Sequence, residues 1–348
     1  MASTRTKTPA LSIMFFSHSD SGPDPGRYDF VLRMAALAED LGFQAAWLPE
    51  RHFHPLGGLF PNPAVVAAAL AVRTRRIALR AGSVVLPLHH VARVAEEWSV
   101  VDGLSNGRAG VSLASGWNRA DFVLGACGYD ERRDHLLATV ETLQGLWRGS
   151  EASFPVGGQV KAVRTYPVPV QRPIPLWLTA TSGSATFAEA ARRGLGLLTA
   201  YLQQGRQQLE DNARGYREAF TAHAPGGTPH LTLMVHACAA PSRREALAVV
   251  QEPLTGYQHQ FLDLHDRGRG HDDQDAALTE GERIELARYA AHKYATERGL
   301  IGGPADIAER LRYLASIGVD EVACLVDFGL TAEQITDTLV RLADVAKR

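Results

Sequence analysis

Residues of the kinds that bind ligands and move protons fall into five short runs of this 348-residue chain, and each run follows a short apolar stretch. The first is Phe16-Ser17-His18. The second, Pro49-Glu50-Arg51-His52-Phe53-His54, leads on to Pro61-Asn62-Pro63. The third spans Gly82-Ser83 and Leu86-Pro87-Leu88-His89-His90. The fourth is Ser115-Gly116-Trp117-Asn118, and the fifth Thr179-Ala180-Thr181-Ser182-Gly183-Ser184. In the fifth, small hydroxyl residues and a glycine run directly into an amphipathic stretch. A helix beginning there offers free N–H groups and the positive end of its dipole, which suits a phosphate monoester. Serine and threonine are also common N-cap residues, and on the motif alone the cap is the simpler reading. His52-x-His54 invites a metal. Such a site needs further ligands at other strand ends, yet the fourth and fifth runs supply Ser115, Asn118, Thr and Ser, so no metal centre is expected. His52 and His54 then also read as loop residues bonding to neighbouring backbone.

The elements that must position these runs alternate regularly. Apolar strands are expected at 11–16, 44–48, 77–85, 109–113, 176–179, 196–200, 231–237 and 321–326. Amphipathic helices are expected at 28–41, 64–74, 91–104, 131–147, 184–193, 203–223, from about 242, at 304–317 and from 331. Strands that are apolar throughout belong in a parallel sheet covered by helices, and eight such units close into a (β/α)8 TIM barrel. A doubly wound open sheet is the competing α/β architecture. In the barrel, catalytic groups stand at the C-terminal ends of the strands, where all five runs lie. The segment 150–173 reads as an inserted hairpin, and the charge-dense stretch 265–282 as a mobile loop. The turn 102–108 lies at the other ends of the strands and reads as structural. Residues 1–348 are read as one domain.

Composition narrows the function. A formal net charge of -2 and a pI near 6.7 give no basic footprint for nucleic acid. Cys127, Cys238 and Cys324 are far apart and without a CxxC, so neither a disulfide framework nor a zinc site is expected. No apolar run has the length of a membrane span, and the N-terminal run is too short for a signal peptide, so the cytoplasm is the expected compartment. There is no GxSxG elbow, no Walker A sequence and no GxGxxG after a strand.

Longer blocks are more specific. LPERHFHPLGGLFPNP, RAGSVVLPLHHVARVAEEWSVVDGLSNGR and VSLASGWNRADF resemble the bacterial luciferase-like flavin monooxygenases, closest to the subgroup associated with polyketide and nonribosomal-peptide assembly lines. LWLTATSGSATFAEAARRGLG and IGGPADIAERLRYLASIGVDEVACLVDFG extend the likeness over most of the chain. The resemblance implies a homodimeric oxidoreductase that takes reduced FMN from a separate flavin reductase and uses dioxygen as co-substrate. The substrate it implies is a small molecule or a natural-product intermediate tethered in trans to a carrier protein. It places Gly82 and Ser83, joined by a cis peptide, beside the flavin ring. Ser115 and Trp117 fall near the ribityl-phosphate arm, and Thr181, Ser182, Gly183 and Ser184 at the phosphate, which turns the fifth run from a cap into a binding turn. Phe16, His54, Asn62, Leu86 and His89 are assigned to the substrate pocket. One departure matters. Luciferases proper carry adjacent histidines after the strand-two glutamate, and this chain has Arg51-His52. A permanently protonated arginine cannot serve as base. Arg51 is instead expected to hold an anionic or oxygen-bearing group, with His52 as the group that titrates near neutrality. A deazaflavin-dependent oxidoreductase of the same superfamily and a non-catalytic flavin-binding paralogue are the alternatives.

Overall fold

The apolar runs become strands that are buried on both faces, and such strands have no free edge to leave in water. The computed structural model describes residues 8–16, 26–201, 204–268 and 279–347. Its strands in chain order are β1 (Ala10–Met14), β2 (Ala45–Leu48), β3 (Ala78–Val85), β4 (Ala109–Ala114), β5 (Ala152–Val156), β6 (Gln159–Val163), β7 (Leu176–Ala180), β8 (Gly196–Ala200), β9 (Leu231–Ala239), β10 (Leu300–Gly302) and β11 (Glu321–Leu325). Parallel pairing runs β11-β1-β2-β3-β4-β7-β8, and β9 pairs with both β8 and β11, so eight strands close a barrel. The open-sheet alternative is thereby set aside.

Helices return each strand to the next: α1 (Gly26–Leu41), α2 (Pro63–Arg73), α3 (Val91–Ser105), α4 (Arg132–Trp147), α5 (Ser184–Arg192), α6 (Arg206–His223), α7 (Arg243–Gly268), α8 (Glu280–Lys293), α9 (Pro304–Ser316) and α10 (Ala332–Ala346). The expected hairpin is present as antiparallel β5 and β6. The turn after α3 is structural as expected. Asp102 accepts from Val170 N (2.7 Å), Gln171 N (2.9 Å) and Gln171 Nε2 (2.6 Å), tying the hairpin's exit to the barrel base.

Two expectations need correction. The stretch 265–282 is not a simple loop, because α7 continues through Gly268 and α8 begins at Glu280; residues 269–278 lie outside the described residues, as do Ser17 and His18. Leu254, Tyr257 and Leu264 are buried at helical spacing and carry α7 onward. Thr279 and Glu282 form a reciprocal capping box that starts α8. Strand β10 and α8 were not read from the sequence at all. A three-residue strand that extends the top of β9 has too little pattern to announce itself.

The lower half of the barrel is filled by one charged cluster inside an aromatic wall. Glu321, the first residue of β11, accepts from Ser12 Oγ (2.5 Å), Trp47 Nε1 (2.8 Å), Arg80 Nη1 (2.5 Å) and His230 Nε2 (2.9 Å). The Arg80 guanidinium lies 5.1 Å from the Trp47 ring centre and 4.6 Å from that of Trp177. Gly196 makes room for this wall, since a Cβ there would overlap Trp177. Burial alone would push the Glu321 carboxyl up, but Arg80 and His230 hold it far below the usual range.

Candidate active site

At the opposite, C-terminal end of the strands, the second and third runs meet on one carboxylate. Glu50 follows β2 and is buried. Its Oε2 accepts from Val85 N (2.7 Å), and its Oε1 faces both His52 Nε2 (2.9 Å) and His89 Nε2 (2.6 Å). Burial acts to raise its pKa, but the hydrogen bonds from both imidazoles bring it below the usual value. Burial likewise acts against the charged His89 ring, and the bond to Glu50 outweighs it and raises His89. An ionised carboxylate only accepts, so His52 donates from Nε2, which leaves Nδ1 as the ring nitrogen not bonded to Glu50.

Arg51 has a different environment from its neighbours. Its backbone N–H is fixed to Phe60 O (3.0 Å). Its stem lies against Gly57, where φ is +78° and a Cβ would stand 2.5 Å from Arg51 Cγ. Its guanidinium lies against two rings, 4.9 Å from the Phe16 centre and 5.2 Å from that of Trp117. Burial pulls its pKa down. Its Nε is buried with no hydrogen-bond partner. Helix α7 covers this group: Tyr257 packs edge-on to Phe16, Phe261 lies 6.5 Å from Trp117, and Asp263 pairs with His54 Nε2 at 3.3 Å.

Asp121 stands in the 3-10 turn Arg119–Leu124 that follows Trp117. It is buried and accepts from Asn118 Nδ2 (2.8 Å). Burial pushes its carboxyl up to about 6, against the pull of Arg51 and His52 and with a further push from Glu50. The mouth therefore contains one carboxylate held ionised and one that titrates near neutrality.

Further round the barrel, Gly82–Ser83 is a cis peptide. Ser83 Oγ is hydrogen-bonded to Thr179 Oγ1, which also pairs with Ser112 Oγ at 2.6 Å, so β3, β4 and β7 are stitched together by hydroxyls. The fifth run opens α5, whose N-cap is Gly183 with no side-chain cap. The serine and threonine hydroxyls thus do not act as caps. The carbonyls of this turn are engaged: Thr181 O accepts from Thr199, and Ser182 O from Gln208 and Asn212. A Cβ on Gly183 would meet nothing within 4 Å. The first N–H groups of α5 thus have no side-chain cap and the backbone is open at Gly183, a combination that fits an incoming phosphate.

The structure gathers the sequence candidates unevenly. Phe16, Arg51, His52, His89 and Trp117 surround Glu50 and Asp121. Gly82 and Ser83 with Thr179, then Thr181 to Ser184, form the adjoining rim, and Ser115 is half-buried between them at the end of β4. Leu86 is fully buried in a 3-10 turn. His54 is committed to its own loop, its Nδ1 accepting from Leu56 N at 3.0 Å. Asn62 is not brought into this group. Its side chain caps α2 by accepting from Ala64 N, and it lines a groove of about 310 Å³ with Tyr28, Leu32 and Val65. Asp121 and Ser112 were not singled out in the sequence, and Glu50 and Thr179 stood in the runs without an assigned role. Glu50 was visible beside Arg51, but a lone carboxylate gives no sign that two histidines will share it.

Residues 10–321 match the luciferase-like monooxygenase family model. The oxygenase component of a flavin-dependent trigonelline monooxygenase from Acinetobacter baylyi is 24% identical over 332 residues, covering 93% of this chain and 90% of that protein. The monooxygenase RslO1 from Streptomyces bottropensis superposes with a TM-score of 0.78 at 23% identity, over 96% of this chain and 98% of that one. The oxygenating constituent of 3,6-diketocamphane monooxygenase from Pseudomonas putida, a type II Baeyer–Villiger monooxygenase in complex with FMN, gives 0.76 at 16%, over 98% and 99%. The chain belongs to the luciferase-like monooxygenases.

Proposed function

We propose that this protein is the oxygenase of a two-component system that binds reduced FMN along the rim from Ser83 to Ser184 and transfers one atom of dioxygen to a small organic substrate. The observation that carries the reading is the uncapped N-terminus of α5, open at Gly183 and adjoining the Ser83–Thr179–Ser112 hydroxyls. Reduced FMN supplies the electrons that activate dioxygen. The chain supplies the rest. The N–H groups of Gly183 and Ser184 bind the phosphate, with the Thr181 and Ser182 hydroxyls beside them, and Ser115 and Trp117 border the ribityl arm. The cis Gly82–Ser83 strand top supports the ring. Phe16, Trp117 and helix α7 exclude water from the substrate side. His52, with Nε2 fixed to Glu50, presents Nδ1 for proton transfer.

No described helix is long and apolar enough to cross a membrane, and no described cluster of His, Cys, Asp and Glu has the form of a metal site. A flavin reductase is the proposed partner, and a natural-product intermediate, free or tethered to a carrier protein in trans, the proposed substrate. The exposed apolar residues Val65 and Val72 on α2 and Val100 and Leu104 on α3 favour a homodimer through these helices. Light scattering at micromolar concentration is expected to give twice the 37.7 kDa chain mass, and a monomer alone would refute the dimer. The cofactor is tested by reconstitution. The protein is expected to retain FMN through gel filtration with a flavin absorption spectrum, and selective retention of a deazaflavin would overturn the reading.

A further inference from the structure

The buried arginine at the mouth has every feature of a binding group except an acceptor. Gly57 leaves space for its stem, and the Phe16 and Trp117 rings both lie against its guanidinium. Its Nε is buried without a partner, and among the described residues no side-chain acceptor bonds to its guanidinium nitrogens. A buried donor left unpaired is costly, and although the Asp121 and Glu50 carboxylates act on the Arg51 charge, neither bonds to its nitrogens. The arginine at the barrel base shows the contrast, because Arg80 is stacked in the same way but has Glu321 at its edge.

The N–H bonds of a guanidinium lie in one plane, so a ligand bonds to Arg51 along its edge. That edge matches a planar group with two oxygens. The flavin phosphate does not fit the role. Its proposed seat follows β7, which is separated from β2 by β3 and β4. The walls contributed by Phe16, Trp117 and Tyr257 suit an apolar or aromatic body behind the charged group.

We propose that Arg51 is the carboxylate-recognition residue of this enzyme and that its substrate is an organic acid carrying an apolar body. The proposal rests on the reading of the barrel mouth as a monooxygenase site, but its test does not depend on turnover.

Acetate, benzoate and phenylpropionate are titrated against their neutral amides, with tryptophan fluorescence and calorimetry as readouts, on the protein with and without FMN. At least one acid is expected to bind about tenfold or more tightly than its amide, as a charge-assisted pair should. Arg51→Gln should erase that preference and leave FMN affinity unchanged, whereas Arg51→Lys should keep a weakened preference. Equal binding of acids and amides, no binding of any acid, or a preference that survives Arg51→Gln would overturn the proposal. Loss of FMN binding in Arg51→Gln would overturn it too, by assigning the arginine to the flavin. Failure of the parent to bind FMN would instead refute the cofactor reading, and the acid preference would still be read on the protein without FMN.

Discussion

The barrel holds two charged clusters, one at each end, built from similar parts. At the base, Glu321 is met by Ser12, Trp47, Arg80 and His230, and Arg80 is stacked on two tryptophans. At the mouth, Glu50 is met by His52, His89 and Val85 N, while Arg51 lies against two aromatic rings with its Nε unpaired and Asp121 acts on it with a raised pKa. The base cluster is complete within the chain. The mouth cluster is not. Completeness, more than residue type, separates a structural charge network from a site that awaits a ligand.

The comparison predicts opposite stability effects, and this is the largest expected difference. Glu321→Gln leaves Arg80 buried against two tryptophans without its counter-charge, and removal of one partner of a buried pair typically costs about 3–5 kcal/mol. Arg51→Gln removes a charge whose Nε has no bonded partner and so should cost clearly less than Glu321→Gln. Urea denaturation of the two variants at pH 7 measures both. Equal losses would show that Arg51 is also a structural cation.

Next in size is the effect on chemistry. His52→Ala removes the Nδ1 base but leaves Glu50 bonded to His89 and to Val85 N. General acid–base groups contribute about 10²–10⁴-fold. Product formed per FMN oxidised should fall by that order, with hydrogen peroxide released in its place and FMN affinity intact. A lower rate at an unchanged product ratio would mean that His52 merely braces the loop.

Smaller again is the effect at the rim. A Cβ at Gly183 meets no protein atom within 4 Å, so Gly183→Val should leave α5 folded and still fill the space proposed for the phosphate. FMN affinity is expected to fall by about tenfold to hundredfold, which corresponds to about 1.4–2.8 kcal/mol. Unaltered affinity in dialysis would move the phosphate elsewhere.

The two clusters were not equally legible in the sequence. All eight barrel strands could be read from apolar runs, because a strand buried on both faces needs nothing else. The fifth run could be read because a glycine and hydroxyls before a helix form a local pattern. Glu321, by contrast, sits inside an apolar strand, and its partners Ser12, Trp47, Arg80 and His230 are far away in the chain, so nothing local marks it. Asp121 was hidden in the same way: its raised pKa comes from burial and from Arg51, His52 and Glu50, which arrive from another strand end. Resemblance to a known family pointed to Arg51 and His52, but the carboxylates that set their behaviour came from the fold.

The smallest expected effect tests whether the mouth is under-satisfied as a whole. The Asp121 carboxyl has its pKa raised from 3.8 to about 6, chiefly by burial, so the folded protein holds that proton more tightly than the unfolded chain does. Stability from this group is therefore present below about pH 4 and is lost as pH rises through about 6. Asp121→Asn retains an oxygen to accept from Asn118 Nδ2 and cannot ionise. The variant should match the parent near pH 4 and become the more stable of the two between pH 4 and 6. The gap should then stay level at about 1–2 kcal/mol, below the roughly 3 kcal/mol that the full shift would give, because solvent screens a partly buried carboxyl. Urea midpoints at half-unit pH intervals resolve a difference of that size. If the variant is instead less stable than the parent at pH 8, Asp121 acts as the ionised counter-charge of Arg51. The mouth would then be as complete as the base, and the contrast between the two ends would fail.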